Sequence, residues 1–491
     1  MISVDFNGLD VTSVSNVDSM FRGCTALETL DLSGVQLRVT YAGRMFEGCS
    51  SLRSLQGLDI AAESTGSAID VSSMFSGCSS LTELDLLKVN ISGASSMNSM
   101  FNGCSSLTAL DVSGLDTSSV SSMDDTFEGC TSLQELDLSD WDCSKVTTMY
   151  RLLYQCKGLK NVKLPTGTSW VLKNTGAMFT GCTALTSVDL SQIGLSLVTY
   201  MGNMFDGCSS LTSVKFPISN KSAVTNMDSM FSGCTSLQSV DFSQFDLSNL
   251  TSLESAFYRC INLEYVKLPR VDKGSLTNLY RTFDQCTSLQ KLDFRNFDLS
   301  KVKYLSNAFT DCSSLTSVVF PAANQTALRS MAYSFNGCTN LQTVDFSQFD
   351  LSSVENMERT FYHCSSLVNV SMPKVESSSL ASLYQAFCGC TSLATLDLSQ
   401  FDLSKLVNAR EMLNGCKGLT SVKFPSTPIT QLSSAESMLS GCSSLAEVDL
   451  SSFVPKVDTN LWDFSMVARR CERSCLAIGS CSGGLSSLTA P

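Results

Sequence analysis

The chain has 491 residues, 43% of them apolar and only 16% charged, with 33 Lys and Arg against 46 Asp and Glu for a net charge of −13. An acidic chain without a basic, aromatic-interleaved patch excludes nucleic-acid binding of the usual kind, where Lys and Arg neutralise phosphates. No run of 18 apolar residues is present, so no spanning helix and no membrane insertion are expected.

The first segment, MISVDFNGLDVTSV, lacks a basic region followed by an apolar run, so it does not read as a secretory signal. No lipidation or anchor motif is recognised. Aligning Val4–Asp10 with Val240–Asp246 puts Met1 in the middle of a structural turn, with no polar cap before it. Repeat proteins normally shield their end turns. The expectation is therefore either more chain upstream or a partner over that end.

From Cys24 onward the chain repeats. Seventeen cysteines, from Cys24 and Cys49 to Cys442, form a ruler, and every interval from Cys78 to Cys442 is 26 residues. Leu follows each ruler cysteine by three residues (Leu27 to Leu445), and Leu or Val follows by six. Position eight is nearly always apolar, as in Leu138, Phe242 and Met372. The pattern L-x-x-[LV]-x-[LF] is that of a leucine-rich-repeat strand, with apolar residues two apart on one inner face. Before each cysteine the apolar spacing becomes three and four, as in Val224, Met227, Met230 and Phe231. That spacing predicts a short helix, closed by a glycine such as Gly129, Gly233 or Gly337 in a left-handed C-cap. Gln155, Arg259, Gln285, Asp311 and His363 replace this glycine in five turns.

The fold expected is α/β: a right-handed leucine-rich-repeat solenoid of about 17 turns of 26 residues. A parallel sheet would line one, concave side and short helices the other. With strand spacing of about 4.8 Å, it would extend on the order of 80 Å. The solenoid is assigned to residues 1–466 and an irregular tail to 467–491, where the apolar stripe fades after Leu461 and Phe464.

From Cys130 the turns alternate with a superperiod of 52 residues. Seven residues past the cysteine, Asp137, Lys163, Asp189, Lys215, Asp241, Lys267 and Asp293 interleave, which predicts a ladder of opposite charges. Eleven residues past it, Trp141, Phe245, Phe297, Phe349, Phe401 and Phe453 alternate with Gly167, Ser219, Val271, Ala323, Val375 and Thr427. Large over small fills stacked layers without overlap.

The chemistry-bearing residues read mostly as structure. The cysteine column supplies one thiol per turn, whereas zinc needs four clustered ligands, so the thiols are expected to be buried filling. Adjacent rungs fall inside the Cα separation that disulfides tolerate, which leaves cross-rung bonds open. Cys388 beside Cys390 reads as an ordinary substitution, and Cys471, Cys475 and Cys481 would suit a tail disulfide in an oxidising compartment. The only histidine, His363, occupies a glycine position and reads as a surface substitution. A calcium ladder along Asp111, Asp137 and Asp142 is disfavoured by the interleaved lysines. No phosphate-binding loop or dinucleotide fingerprint is found, so neither cofactor, metal nor catalytic residues are expected.

The repeat M-F-x-G-C-x-S-L, as in Met100–Leu107 and Met230–Leu237, resembles that of the BspA-like leucine-rich-repeat surface proteins over residues 1–466. The resemblance implies a non-catalytic, extracellular or cell-surface adhesin-type protein. Its partner would be a protein or glycoprotein on a host or neighbouring cell. An intracellular interaction scaffold and a structural rod, with end-to-end self-association, are the alternatives. The contact columns expected on the outward strand face are Thr108, Asp111, Glu135, Asp137, Asn161, Lys163, Asp189, Lys215, Asp241, Tyr265, Lys267 and Asp293.

Overall fold

The computed structural model describes residues 10–64, 67–167, 169–218, 221–322, 328–454 and 459–460. The opening segment aligned on Met1, the small residues Ser219 and Ala323, the stripe residues Leu461 and Phe464, and the whole tail with Cys471, Cys475 and Cys481 lie outside the described residues. The chain is a parallel-sheet solenoid of about 15 turns. It divides into two compact units, Met1–Val271 and Asp272–Pro491.

The first unit contains β1 (Thr29–Asp31), β2 (Gln36–Arg38), β3 (Ser54–Gln56), β4 (Asp59–Ala61), β5 (Glu135–Asp137), β6 (Asn161–Lys163), β7 (Ser187–Asp189), β8 (Ser213–Lys215), β9 (Ser239–Asp241) and β10 (Tyr265–Lys267). The second contains β11 (Lys291–Asp293), β12 (Ser317–Val319), β13 (Thr343–Asp345), β14 (Asn369–Ser371), β15 (Thr395–Asp397) and β16 (Ser421–Lys423). Each strand points its central Leu, Val or Ile inward and its flanking residues outward, as in the exposed–buried–exposed β5. This is the period-two alternation of a half-buried strand.

The strands pair in parallel, but not as one sheet. The first unit holds β1 with β3, β2 with β4, β5 with β6, β7 with β8, and β9 with β10; the second holds a four-strand set β11–β14 and the pair β15–β16. From β5 to β10, and again in β15 and β16, the pairing follows the 52-residue superperiod, whereas β11–β14 pair continuously through Ser317 and Thr343. An Asp turn pairs with the Lys turn after it, with Asp137 opposite Lys163 and Asp189 opposite Lys215. The link is completed by Leu138 N–H donating to the Lys163 carbonyl at 2.8 Å. The Lys turns carry a proline two residues past the lysine (Pro165, Pro217, Pro269) where the Asp turns carry a serine such as Ser139, whose N–H donates to its own Asp137 at 3.0 Å. Side chains fill the interval between a Lys turn and the next Asp turn: Phe216 packs on Phe242 and Phe245 at centroid distances of 5.0 and 5.7 Å.

The short helices are the expectation that fails. Among the described residues the only helical segment is a 3-10 turn, Leu195–Leu197. In its place each repeat makes a run of tight turns with two left-handed residues. In the repeat of Cys234 these are Ser229 (φ 53°) and Gly233 (φ 70°). Backbone hydrogen bonds alternate along it. Met230, Ser232 and Cys234 donate back to Met227, Ser229 and Phe231, while Ser229, Phe231 and Gly233 donate forward to Glu254, Ala256 and Tyr258 of the next repeat. A helix would turn all these groups inward on its own axis. The turn run directs every second N–H to the neighbouring repeat, so this side becomes a second parallel ladder. Single bridges mark it from Ser96 through Ser122, Thr148, Asn174, Tyr200 and Asn226 to Ser252 in the first unit. In the second unit they run from Asn278 through Tyr304 to Asn460.

The three-and-four spacing still has a physical basis, because these apolar residues all face the core. Phe179, Phe205 and Phe231 stack with centroids 5.3 and 5.4 Å apart. Phe283, Phe309, Phe335 and Phe361 do the same in the second unit at 5.7, 5.0 and 5.5 Å. A fully buried Phe contributes roughly 1.5–3 kcal/mol. The large residues on the strand side are also sealed: Trp141 is 2% exposed and donates its indole N–H to the Val112 carbonyl of the preceding turn at 3.2 Å.

Candidate binding face

All twelve outward residues singled out from the sequence are exposed. The structure brings several together and leaves others apart. Lys163 Nζ reaches Asp137 Oδ2 at 2.7 Å, and Asn161 Nδ2 donates to Glu135 Oε1 at 3.2 Å. Lys215 meets Asp189 at 3.0 Å and Lys267 meets Asp241 at 3.2 Å. No ion pair links Lys163 to Asp189 or Lys215 to Asp241 among the described residues. The charge column is therefore a row of separate pairs and not the continuous ladder expected. Asp293 is held by Arg295 of its own turn at 2.6 Å. Tyr265 stands 54% exposed opposite Ser239.

The hydrogen bond from Lys163, then those from Ser139, hold the Asp137 carboxyl down at about 2. Such pairs are open to water, Lys163 being 74% exposed, so they set the charge pattern more than the stability.

The most distinctive stretch lies N-terminal to β5. Here Asp85, Asp111 and Asp137 follow one another at the same position with no Lys between them. Residues 81–86 and 107–112 form no strand, although their sequences LTELDL and LTALDV fit the pattern as well as any. Like charges in register oppose close pairing. The result is a shallow depression with Leu84, Leu110 and Leu136 on its floor and Glu83, Asp111, Glu135, Asp137, Asn161 and Lys163 around it. Leu84 and Leu110 are each 9% exposed against 3% for Leu136. Five residues of the expected face line it: Asp111, Glu135, Asp137, Asn161 and Lys163. Sequence reasoning missed Glu83 and the leucine floor, for which the unbroken run of aspartates was the available signal. Thr108 is exposed beside this region, its carbonyl accepting from Gln134 N–H at 3.4 Å.

The thiols are structural. Among the described residues no cysteine is joined in a disulfide, and all but Cys24 are buried. From Cys49 onward each ruler thiol for which a bond is resolved donates to a backbone carbonyl of the preceding turn. Cys130 reaches the Phe101 carbonyl at 3.2 Å, Cys156 that of Phe127 at 3.0 Å and Cys182 that of Leu153 at 3.1 Å. Burial pushes the Cys130 and Cys182 thiols up to about 12. Cys388 is also buried, and burial raises it to about 11. A protonated thiol is a poor nucleophile and metal ligand. No group of three or more His, Cys, Asp or Glu suited to a metal occurs among the described residues. His363 sits at a left-handed corner (φ 57°), its ring edge-on to Tyr362. The most perturbed carboxyl, Glu128, is raised to about 7 by burial and by its hydrogen bond with Asp125. It also receives Arg151 at 2.6 Å and Asn102 at 3.1 Å. No helix among the described residues is long and apolar enough to cross a membrane.

None of the curated proteins matches the chain. Solved structures that it resembles include a leucine-rich repeat protein from Bacteroides ovatus, at 19% identity over 89% of this chain and 82% of that one, with a TM-score of 0.37. A leucine-rich cell surface protein from Faecalibacterium prausnitzii matches at 15% identity over 75% and 86%, with a TM-score of 0.32. The pneumococcal vaccine antigen PcpA matches at 14% over 91% and 84%, with a TM-score of 0.33. Residues 151–280 match six copies of the BspA-type leucine-rich repeat. Residues 2–82, 69–187, 225–342 and 329–453 match a family described as Mycoplasma protein of unknown function, DUF285. With these matches over most of its length, the chain belongs to the DUF285 family and is built of BspA-type leucine-rich repeats.

Proposed function

We propose that this protein is a non-catalytic adhesin-type binding module whose strand face attaches to a protein or glycoprotein on the surface of another cell. Leucine-rich repeats of the BspA type point to protein binding. The observation that carries the reading is the depression between Glu83 and Lys163, where an apolar floor is rimmed by exposed charge. Burial of a small apolar centre inside a polar rim is the usual anatomy of a protein interface. The twelve outward residues from Thr108 to Asp293 are the proposed contacts, with those of the depression at the centre.

The test is binding of the purified chain to intact cells and to immobilised extracellular glycoproteins, with a cytosolic pull-down in parallel. The comparison variant reverses Asp111, Asp137 and Lys163. Saturable cell-surface binding that the variant loses by tenfold or more, about 1.4 kcal/mol, supports the reading. Undiminished binding by the variant moves the contact off the strand face. A specific cytosolic partner, with no surface binding, replaces the adhesin by an intracellular scaffold.

A further inference from the structure

The turn side differs in composition from the strand side. Ten of the eleven tyrosines lie between eight and two residues before a ruler cysteine, leaving Tyr265 alone on the strand face. Arginine recurs at the first left-handed corner, as Arg44, Arg151, Arg281 and Arg359. Tyr and Arg are the side chains most enriched at the energetic centres of protein interfaces.

Three of these four arginines are neutralised by the chain itself. Arg44 lies 3.8 Å from Glu47, Arg151 2.6 Å from Glu128, and Arg281 2.9 Å from Asp284. Arg359 is held differently. Its Cζ lies 5.6, 5.1 and 5.5 Å from the ring centroids of Tyr333, Tyr362 and Tyr384. Its Nε donates to Gln385 Oε1 at 2.6 Å, and Gln385 in turn donates to Glu411 Oε2 at 2.7 Å. No carboxylate pairs with Arg359 among the described residues. The guanidinium is half-buried, oriented by an amide and surrounded by three half-buried rings. A side-chain hydrogen bond also joins it to Tyr384, and the rest of its five N–H donors are available to a ligand.

We propose that Arg359, caged by Tyr333, Tyr362 and Tyr384, anchors an interaction surface on the turn side that takes an acidic segment of a partner polypeptide, with a partner carboxylate on the guanidinium fork. Charge complementarity selects the ligand: an arginine without its own counter-ion, beside three phenol rings, gains most from a planar carboxylate received by two N–H groups. The aromatic surroundings limit water access and fix the fork in advance, which lowers the cost of binding. A peptide is favoured over other carboxylates because the flanking tyrosines offer stacking area and hydroxyls to its neighbouring side chains. The surface is independent of the strand-face reading and lies on the opposite column of the repeat.

The experiment titrates a fluorescent oligo-glutamate peptide into the full chain and follows anisotropy, with oligo-lysine and sialyllactose as comparison probes. Wild type should bind oligo-glutamate and neither comparison probe. Arg359→Gln should weaken it tenfold or more. Arg359→Lys, which keeps the charge and loses the fork, should recover only a small part. Arg295→Gln removes the same charge from the strand side and should change nothing. If Arg359→Gln lowers the melting temperature, Arg359→Lys and Tyr384→Phe carry the comparison, since both keep the bulk of the side chain. Absence of binding by wild type overturns the proposal. So does equal weakening by Arg359→Gln and Arg295→Gln, full affinity in Arg359→Lys, or sialyllactose binding as tightly as the peptide. The strand-face charge reversals should leave this titration unchanged, so the two readings can fail separately.

Discussion

Each repeat places two residues in the left-handed region, and the two positions are filled differently. The corner next to the cysteine is glycine in most repeats, and the corner four residues earlier never is. Gln155 adopts φ 58° at the glycine corner and His363 φ 57°. A Cβ there costs ~1–2 kcal/mol, of which added chain freedom in a glycine variant would give back ~0.5–1 kcal/mol. Gln155→Gly should therefore stabilise the protein by about 0.5–1 kcal/mol, read as a higher denaturant midpoint. Gly233→Ala should do the reverse. An unchanged midpoint in both would mean that the corner relaxes when substituted.

The thiols set a second residue-scale expectation. Burial raises the Cys130 and Cys182 pKa to about 12 from an ordinary 9.0. The neutral thiol is the form the fold favours, so its contribution is complete below pH 9 and is lost as pH rises from 9 towards 12. The urea midpoint should hold steady to about pH 8.5 and fall steadily above it. Native alkylation should be slow at the same time, with labelling appearing only as the chain unfolds. Rapid labelling of the folded chain at neutral pH would contradict the buried thiol ladder.

At the scale of the element, the order of the turns matters as well as their charge. Asp137 pairs forward with Lys163 in β5 and β6, Lys163 does not pair onward with Asp189, and the successive aspartate turns at residues 85 and 111 form no strand. Amide exchange should accordingly be faster in residues 82–86 and 108–112 than at the ladder amides of β5 and β6. Asp111→Lys should slow exchange around residues 108–112 and add up to ~1 kcal/mol of stability. If exchange there stays fast, charge is not what opens the depression. The same variant should weaken the strand-face binding proposed above, because it alters both the shape and the charge of the depression.

At the largest scale, the strand side from β5 to β10 is organised in 52-residue pairs of turns, while the turn-side bridges recur from one 26-residue turn to the next. Removing residues 182–233 would delete one complete pair and restore Asp241 as the neighbour of Lys163. Removing only 182–207 would set Lys163 beside Lys215 and two proline turns in succession. The first deletion should fold with a melting temperature near that of the parent, since each repeat depends mainly on its neighbours. The second should be less stable by about 1–3 kcal/mol, from like charges in register and an unmatched layer. Equal stability of the two deletions would show that the alternation has no structural role.

The sequence by itself determined the repeat, its boundaries along the ruler cysteines, the inward and outward residues of the strands, and the burial of the thiols. All of these follow from periodicity, and a stacked fold converts periodicity directly into position. The twelve outward residues were legible for the same reason. What only the tertiary structure decided is where backbone hydrogen bonds go. Met227, Met230 and Phe231 have the spacing of a helix face, yet half of the N–H groups around them bond to the next repeat, and that choice depends on a neighbour lying one turn away. The pairing of Asp137 with Lys163 but not Lys163 with Asp189, the unpaired aspartate turns that leave Leu84 and Leu110 partly open, and the tyrosine cage of Arg359 have the same origin. Each joins residues about one repeat or more apart, where alternation along the chain names the neighbours but packing decides how they meet.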